Sequence, residues 1–185
     1  MNPIFKNRPN KEFFVKDDDG DRHIWESRAP AVVVVIFALS KSTMYVLAEK
    51  RSDTMVDAPG RWVLPSGYID WDETGWDAVR REVYEETSFY IDKYKKYCVY
   101  YNDKEPFYVM TNPIENRQNI SLNYYIVYDF KNKSIPKKIE SYKYSEISKI
   151  KWIDYKDIHN PEYDWAFLHD ERIEMALEKY GLTFD

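Results

Sequence analysis

The sequence has almost no cysteine, since Cys98 is the only one among 185 residues. A single thiol cannot form an intramolecular disulfide or a thiolate zinc site, and no pattern of a catalytic cysteine surrounds it. We therefore expect a reducing compartment, with Cys98 acting as a small buried hydrophobic residue.

The sequence also lacks a segment that would direct it to a membrane. Its N-terminus has no apolar core of the kind found in signal peptides, and the best apolar run, 29–39, is too short to span a bilayer. These absences predict a cytoplasmic protein with no membrane partner.

An overall excess of positive charge is missing as well. The formal net charge is −5 and the sequence pI is about 5.4. A broad nucleic-acid surface would require an excess of lysine and arginine, so we expect none, although a local basic patch could still bind one phosphate group. The oligomeric state stays open, a homodimer included.

What the chain has is enough apolar material for one core. Hydrophobic residues make up 44% of the sequence and aromatic residues 17%, with no internal repeat and no linker. We expect a single domain over 1–185, with an N-terminal hairpin extension at about 1–30 in which an Asp-Gly turn joins two strands.

The order of the predicted elements indicates an α/β fold. The continuous β-branched run at 31–38 is typical of a central strand covered on both faces. Helices are predicted at 74–87 and 164–180, the second with Gly181 as its C-cap. Further strands are predicted at 44–49, 97–101, 106–110, 121–130 and 147–153. Strands between two helices favour a layered architecture.

The helix at 74–87 has the clearest pattern. Trp76, Val79 and Val83 form one apolar stripe with helical spacing. Thr74 and Asp77 have the spacing of a capping box, which predicts the start of the helix.

Three glutamates, Glu82, Glu85 and Glu86, share one face of this helix. Carboxylates that converge in this way repel one another unless a cation compensates them, and their oxygens suit Mg²⁺, Mn²⁺ or Ca²⁺ better than zinc. Taken alone, the same three residues would also fit a solvated acidic face.

The whole segment 67–89 is more specific than its glutamates. It resembles the Nudix box, with the pattern Gly-x5-Glu-x7-Arg-Glu-hydrophobic-x-Glu-Glu-x-Gly-hydrophobic. The matching positions are Gly67, Glu73, Arg81, Glu82, Val83, Glu85, Glu86 and Phe89. Ser88 stands where the family has glycine, and a serine with positive φ there would cost about 1 kcal/mol.

The resemblance implies a Nudix-type α/β/α sandwich with a central mixed sheet. It also implies hydrolysis of a phosphoanhydride bond in a nucleoside diphosphate linked to another moiety, with Mg²⁺ or Mn²⁺ as cofactor. The implied metal ligands are the carbonyl of Gly67 and the side chains of Glu82, Glu85 and Glu86. In the family pattern Glu73 and Arg81 form a supporting ion pair.

Residues outside the box supply further candidates. Many family members recruit another acid, for which Glu146 is the candidate and Glu140 the alternative. Candidate phosphate-binding residues are Arg28, Arg51, Arg61 and Arg117, and candidates for base stacking are Tyr108 and Trp165. Each of these would individually also fit a surface charge or a core aromatic. The three histidines, His23, His159 and His169, show no spacing of a metal or nucleophilic site and are expected to be structural.

The substrate is less well defined than the reaction. Pro106 and Tyr108 both fall where subgroups of the family carry a marker residue, so the marker is ambiguous. The segment 165–170 resembles one in ADP-ribose-cleaving members, which favours ADP-ribose or a nucleotide sugar. The alternative is a non-catalytic nucleotide-binding sensor with the same fold, although a sensor would be free to lose the acids that this box retains. A related isomerase would require catalytic residues that we do not identify, and the scissile phosphorus and the general base stay open.

Overall fold

The computed structural model describes residues 12–18, 20–25, 29–113, 119–136 and 145–181. The N-terminal hairpin predicted from the Asp-Gly turn is present. Strand β1 (Glu12–Asp17) pairs antiparallel with β2 (Gly20–Trp25) in a sheet of two strands.

A mixed sheet of eight strands forms the centre of the fold, in the order β10-β4-β3-β9-β7, with β5 beside β4, β6 beside β3 and β8 beside β9. Its strands are β3 (Pro30–Ser40), β4 (Thr43–Arg51), β5 (Trp62–Val63), β6 (Ser66–Tyr68), β7 (Cys98–Tyr101), β8 (Tyr108–Met110), β9 (Ile120–Asp129) and β10 (Ile147–Asp154). Only the β3–β9 pair is parallel among those described.

Within the described ranges two α-helices cover this sheet, α1 (Gly75–Thr87) and α2 (His169–Tyr180). Short 3-10 helices lie at Ile91–Tyr97 and Tyr155–Asp157. The cores under α1 and α2 are separate, so the helices pack on opposite faces and the predicted α/β/α sandwich is confirmed. No helix in the described part of the chain is long and apolar enough to cross a membrane.

Strand β3 supplies both cores, as its continuous β-branched run predicts. Val32, Val34 and Ile36 face the α1 side, whereas alternate residues such as Val33 and Val35 face the α2 side. All five are at most 4% exposed, so this strand is covered on both faces.

Helix α1 begins and ends as the sequence predicts. Thr74 accepts a hydrogen bond from the backbone N–H of Asp77, and the Asp77 carboxylate accepts one from the N–H of Thr74, both at 3.2 Å. At the other end, Ser88 has φ of 53° and donates its N–H to the carbonyl of Tyr84. Serine therefore does adopt the left-handed conformation for which the family uses glycine.

Helix α2 begins later than the sequence pattern indicates, so the prediction of a helix from Asp164 was wrong at its start. The carbonyl of Asp164 accepts a hydrogen bond from the N–H of Trp62, and the N–H of Ala166 donates to the carbonyl of Trp62. Leu168 then has φ of 57°, and the helix begins only at His169. Pairing with β5 thus takes the backbone groups that a longer helix would need.

We predict that Ser88→Gly raises the free energy of unfolding by about 0.5–1 kcal/mol, because glycine adopts positive φ without steric cost. Denaturant unfolding measures the change. Ser88→Ala is the matched control, since it removes the hydroxyl and keeps the strained conformation. If both variants gained the same stability, backbone strain at Ser88 would not be the cause.

Candidate active site

A cleft of about 480 Å³ opens at the N-terminal end of β3, between the segments that precede α1 and α2. This volume is in the range typical of small-molecule sites. The cleft is lined by Ala31, Val33, Arg51, Met55, Ser66, Gly67, Tyr68, Asp70, Glu82, Glu86, Met110, Asn112, Asn119, Ser121, Glu146, Phe167, His169 and Arg172.

Arg81 organises the acidic wall of the cleft. Its Nε and Nη2 donate to the two carboxylate oxygens of Glu73, at 2.6 and 2.8 Å. Nη2 also donates to the carbonyl of Tyr68, and Nη1 donates to Glu82 at 2.7 Å. One guanidinium therefore joins the loop that precedes α1 to the acidic face of that helix, with the bidentate geometry in which arginine binds carboxylates best.

These contacts shift the pKa values of both partners. The hydrogen bond from Arg81 is the main cause that lowers the pKa of Glu73 from its ordinary value of 4.5. The same bond is the main cause that raises the pKa of Arg81. The pair predicted from the Nudix pattern is thus formed, and it stays ionised at neutral pH.

Glu82 lies directly against the backbone of Gly67. A Cβ atom at Gly67 would lie 2.0 Å from Oε1 of Glu82, which is closer than any real contact allows. Glu82 is only 3% exposed. Glycine is therefore required at position 67 because the carboxylate occupies the space of a side chain.

Two buried side chains hold the backbone from Leu64 to Ser66. The carboxylate of Glu86, on α1, accepts a hydrogen bond of 2.8 Å from the backbone N–H of Ser66. Nδ1 of His169, on α2, accepts one of 2.8 Å from the N–H of Leu64. Helices on opposite faces of the sheet thus fix the same short stretch of backbone.

His169 is neutral at physiological pH. Burial is the main cause that holds its pKa well below the ordinary value, and the charges of Arg172 and Arg51 act in the same direction. A neutral imidazole can accept the N–H of Leu64 through Nδ1, as observed. The structural role that the sequence analysis expects for His169 agrees with this contact, and the residue also lines the cleft.

A cationic region accompanies His169 in the cleft. The guanidinium of Arg51 lies 5.7 Å from the ring centre of Phe167 and donates from Nε to the carbonyl of Asp57. Arg51, predicted to bind phosphate, is therefore held in place while it lines the cleft.

The three glutamates of α1 are not equivalent. Glu82 and Glu86 line the cleft, whereas Glu85 lies outside the lining and places Oε2 at 3.5 Å from Nη1 of Arg81. Across the residues that the structure describes, no three His, Cys, Asp or Glu side chains form a group that could hold a metal ion. The full convergence expected from helical spacing is thus not met, since Glu85 lies outside the cleft that Glu82 and Glu86 line. Their assignment as metal ligands stays a prediction.

The remaining predicted site residues lie in different places. Glu146 lines the cleft. Arg61 does not, because it contacts Asp164 and the carbonyl of Trp165.

The two aromatic candidates for base stacking do not line the cleft either. Trp165 is 7% exposed and belongs to the core under α2, which leaves it unsuited to stack on a base. Tyr108 is partly buried and also lies outside the lining of the cleft. Three predicted residues lie outside the described parts of the chain: Glu140, Arg28 and Arg117.

Sequence reasoning missed Phe167 and Arg172 as parts of the cleft. Phe167 follows the chain pairing that delays α2, which only the tertiary structure shows. Arg172 did leave a signal. It lies four residues after Leu168 and four before Ala176. This spacing places a charged side chain on the helix face that is predicted to pack against the core.

The fold and the cleft together define an α/β/α sandwich protein with a carboxylate-lined small-molecule site. The sequence profile of the NUDIX domain matches residues 27–174. This match covers most of the chain, and the chain belongs to the Nudix family. No curated protein shows significant sequence similarity to it.

Solved structures with the same fold are distant in sequence. The NUDIX domain of Shewanella oneidensis NrtR complexed with ADP ribose is 23% identical, with a TM-score of 0.56 over 84% of this chain and 90% of that one. A bifunctional NMN adenylyltransferase/ADP ribose pyrophosphatase from Francisella tularensis is 20% identical, with a TM-score of 0.62 over 83% of this chain and 41% of that one. A C. elegans Ap4A hydrolase is 19% identical, with a TM-score of 0.55 over 83% and 99%. At these identities the likeness shows a shared fold.

We predict that Glu73→Gln lowers the free energy of unfolding by about 1–2 kcal/mol at neutral pH, since it removes the charge of a bidentate pair. The pKa of Glu73 is lowered in the folded state, so its stabilisation is present above 4.5 and is lost as the pH falls through the lower folded value. Urea unfolding at several pH values measures the difference between wild type and variant.

The matched control is Glu178→Gln, at the exposed C-terminal end of α2. The free energy of unfolding of this variant should differ from that of wild type by close to zero at every pH. A Glu73→Gln difference that did not shrink in acid would contradict the ion pair as its cause.

Proposed function

We propose that this protein is a divalent-metal-dependent hydrolase that cleaves a phosphoanhydride bond in a nucleoside diphosphate linked to another moiety. The observation that carries the proposal is the cleft wall formed by Glu82 and Glu86, two buried carboxylates fixed beside the backbone of Ser66 and Gly67. Buried carboxylates that line a polar cleft are costly for stability and typical of functional sites.

The oxygen donors of the cleft support a hard divalent cation as the cofactor. Glu82 and Glu86 supply carboxylate oxygens, and the absence of a side chain at Gly67 leaves room for the first of them. These ligands suit Mg²⁺ or Mn²⁺, which prefer oxygen, better than a soft metal. Rotation of Glu85 away from Arg81 would add a third carboxylate from the same helix face.

When bound, the divalent ion screens the charge of the diphosphate and lowers the pKa of a water molecule. The chain's own contribution is positioning. Ser66 holds Glu86 through its N–H, and Glu73 holds Arg81, which in turn holds Glu82. Fixed geometry of this kind supplies much of the rate in reactions of phosphoryl groups.

The cleft also offers groups for the substrate. Among the described arginines that are predicted to bind phosphate, Arg51 is the one that lines the cleft, where it stacks on Phe167. We assign it to phosphate. Glu146 is the acid from outside the box that lines the same cleft, and we assign it as the further carboxylate of the site. Arg28 and Arg117 stay predictions.

We further propose ADP-ribose or a nucleotide sugar as the substrate class. The support is the segment 165–170, whose residues Phe167 and His169 line the cleft. Distant structures of the same fold include one complexed with ADP ribose and one named as an ADP ribose pyrophosphatase.

The test is a panel of nucleoside diphosphate derivatives assayed with Mg²⁺ and Mn²⁺ for release of a nucleoside monophosphate. We predict turnover of at least one compound, and a loss of kcat of about 10²-fold or more in Glu86→Gln, because the variant loses a charged oxygen at the metal. Glu85→Gln is expected to lower kcat in the same direction.

Glu178→Gln on the far end of α2 serves as the matched control and should retain full turnover. Binding of nucleotides without turnover of any compound would favour the non-catalytic sensor. Unchanged turnover in both box variants would overturn the metal assignment.

We predict that Gly67→Ala weakens Mn²⁺ binding by about 10–100-fold, because a methyl group would displace the carboxylate of Glu82. Titration of Mn²⁺ followed by electron paramagnetic resonance measures the affinity without any substrate. Wild-type affinity in a folded Gly67→Ala protein would show that Glu82 does not bind the metal in the position described.

A further inference from the structure

Arg172 is a buried cation in the wall of the cleft. It is 2% exposed and lies in the first turn of α2. Within the described ranges, no carboxylate forms an ion pair with it. An arginine buried in this way is uncommon, since a buried charge is normally paired.

The hydrogen bonds of this guanidinium are incomplete. Nη1 donates to the carbonyl of Phe167 at 2.9 Å, and Nη2 reaches Sδ of Met110 at 3.2 Å. Nε is buried and has no hydrogen-bond partner among the residues that the structure describes. A guanidinium has five N–H donors and a thioether is a weak acceptor, so most of the donor capacity of Arg172 is unmet.

The position of Arg172 in the helix adds to the free-energy cost of burying its charge. The first turn of a helix carries the positive end of the backbone dipole, which disfavours a cation. Asp170 and Glu171 in the same turn offset part of this effect. Burial lowers the pKa of Arg172 to about 10, so the side chain still carries its charge at neutral pH.

We propose that Arg172 forms an anion subsite of the cleft, and that the preferred substrates carry a further anionic group, a phosphate or a carboxylate, on the part of the molecule remote from the scissile bond. This inference rests on the proposed function and names its substrate class. An anion would supply the acceptors that Arg172 lacks, and an oxygen of that group would replace the weak contact with Met110.

The subsite is separate from the carboxylates that we assign to metal. Arg172 belongs to α2 and Glu86 to α1, which pack on opposite faces of the sheet. The backbone of 64–66 donates hydrogen bonds to His169 of α2 and to Glu86 of α1. Arg51 also acts on this region, since its charge and that of Arg172 both lower the pKa of His169. One cleft therefore joins an acidic wall suited to metal with a basic wall suited to an anion.

The test compares two pairs of probes by calorimetry with metal-free protein, in which binding is measured without hydrolysis. UDP-glucuronate and UDP-glucose differ by a carboxylate on the sugar, and NADPH and NADH differ by one phosphate on the adenosine ribose, in both cases away from the diphosphate. We expect wild type to bind the anionic member of at least one pair about 10-fold more tightly, and the pair that responds identifies the anion.

Arg172→Met should abolish this preference, so that the two members of each pair bind with equal affinity. Arg172→Lys keeps the charge without the planar donors and should retain part of the preference. Arg80→Met is the matched control, because Arg80 pairs with Asp92 outside this cleft, and it should retain the full preference. The melting temperature of Arg172→Met should equal or exceed that of wild type, since the variant removes an unpaired buried charge.

Equal affinity within both probe pairs for wild type would overturn the subsite. A preference that survives in Arg172→Met would overturn it as well. Anion preference without hydrolysis of any nucleotide would support the subsite and refute the hydrolase, so the two proposals can fail independently.

Discussion

The backbone of Leu64 to Gly67 is the element on which the site depends. The backbone N–H of Leu64 donates a hydrogen bond to His169 of α2, and that of Ser66 donates one to Glu86 of α1. The two helices pack against separate cores on opposite faces of the sheet. A shift of either helix would break one of these bonds and leave a buried amide unsatisfied, which is costly. The stability of the sandwich is thereby coupled to the position of the acids.

Arg81 reduces the repulsion between the carboxylates of the same region. Its guanidinium contacts Glu73 in bidentate fashion and also reaches Glu82. Without a cation, the clustered carboxylates of α1 would repel one another. Arg81 compensates part of that charge from the side of the helix. A metal ion bound at the cleft, as we propose, would compensate the rest.

Local sequence patterns predict the helices and strands whose conformation depends mainly on neighbouring residues in the chain. The β-branched run of β3 and the capping box of α1 specify their elements without tertiary help, and the Glu73–Arg81 pair follows from the motif. The start of α2 is different, because pairing of the chain with Trp62 overrides helical spacing. Strand β6 is short, and only its pairing with β3 makes it a strand. Arg172 has a local signal, but its neighbour Met110 is 62 residues away in the chain and is placed beside it only by the long-range fold.

The central claim is that a divalent metal binds between the acidic face of α1 and the backbone of β6. Titration of Mn²⁺ into ¹⁵N-labelled protein tests this directly, because the paramagnetic ion broadens the amide signals nearest to it. The account predicts that the signals of Ser66 and Gly67 broaden first, together with those of Glu82 and Glu86. Broadening that begins elsewhere, or that affects exposed acidic residues uniformly, would contradict it.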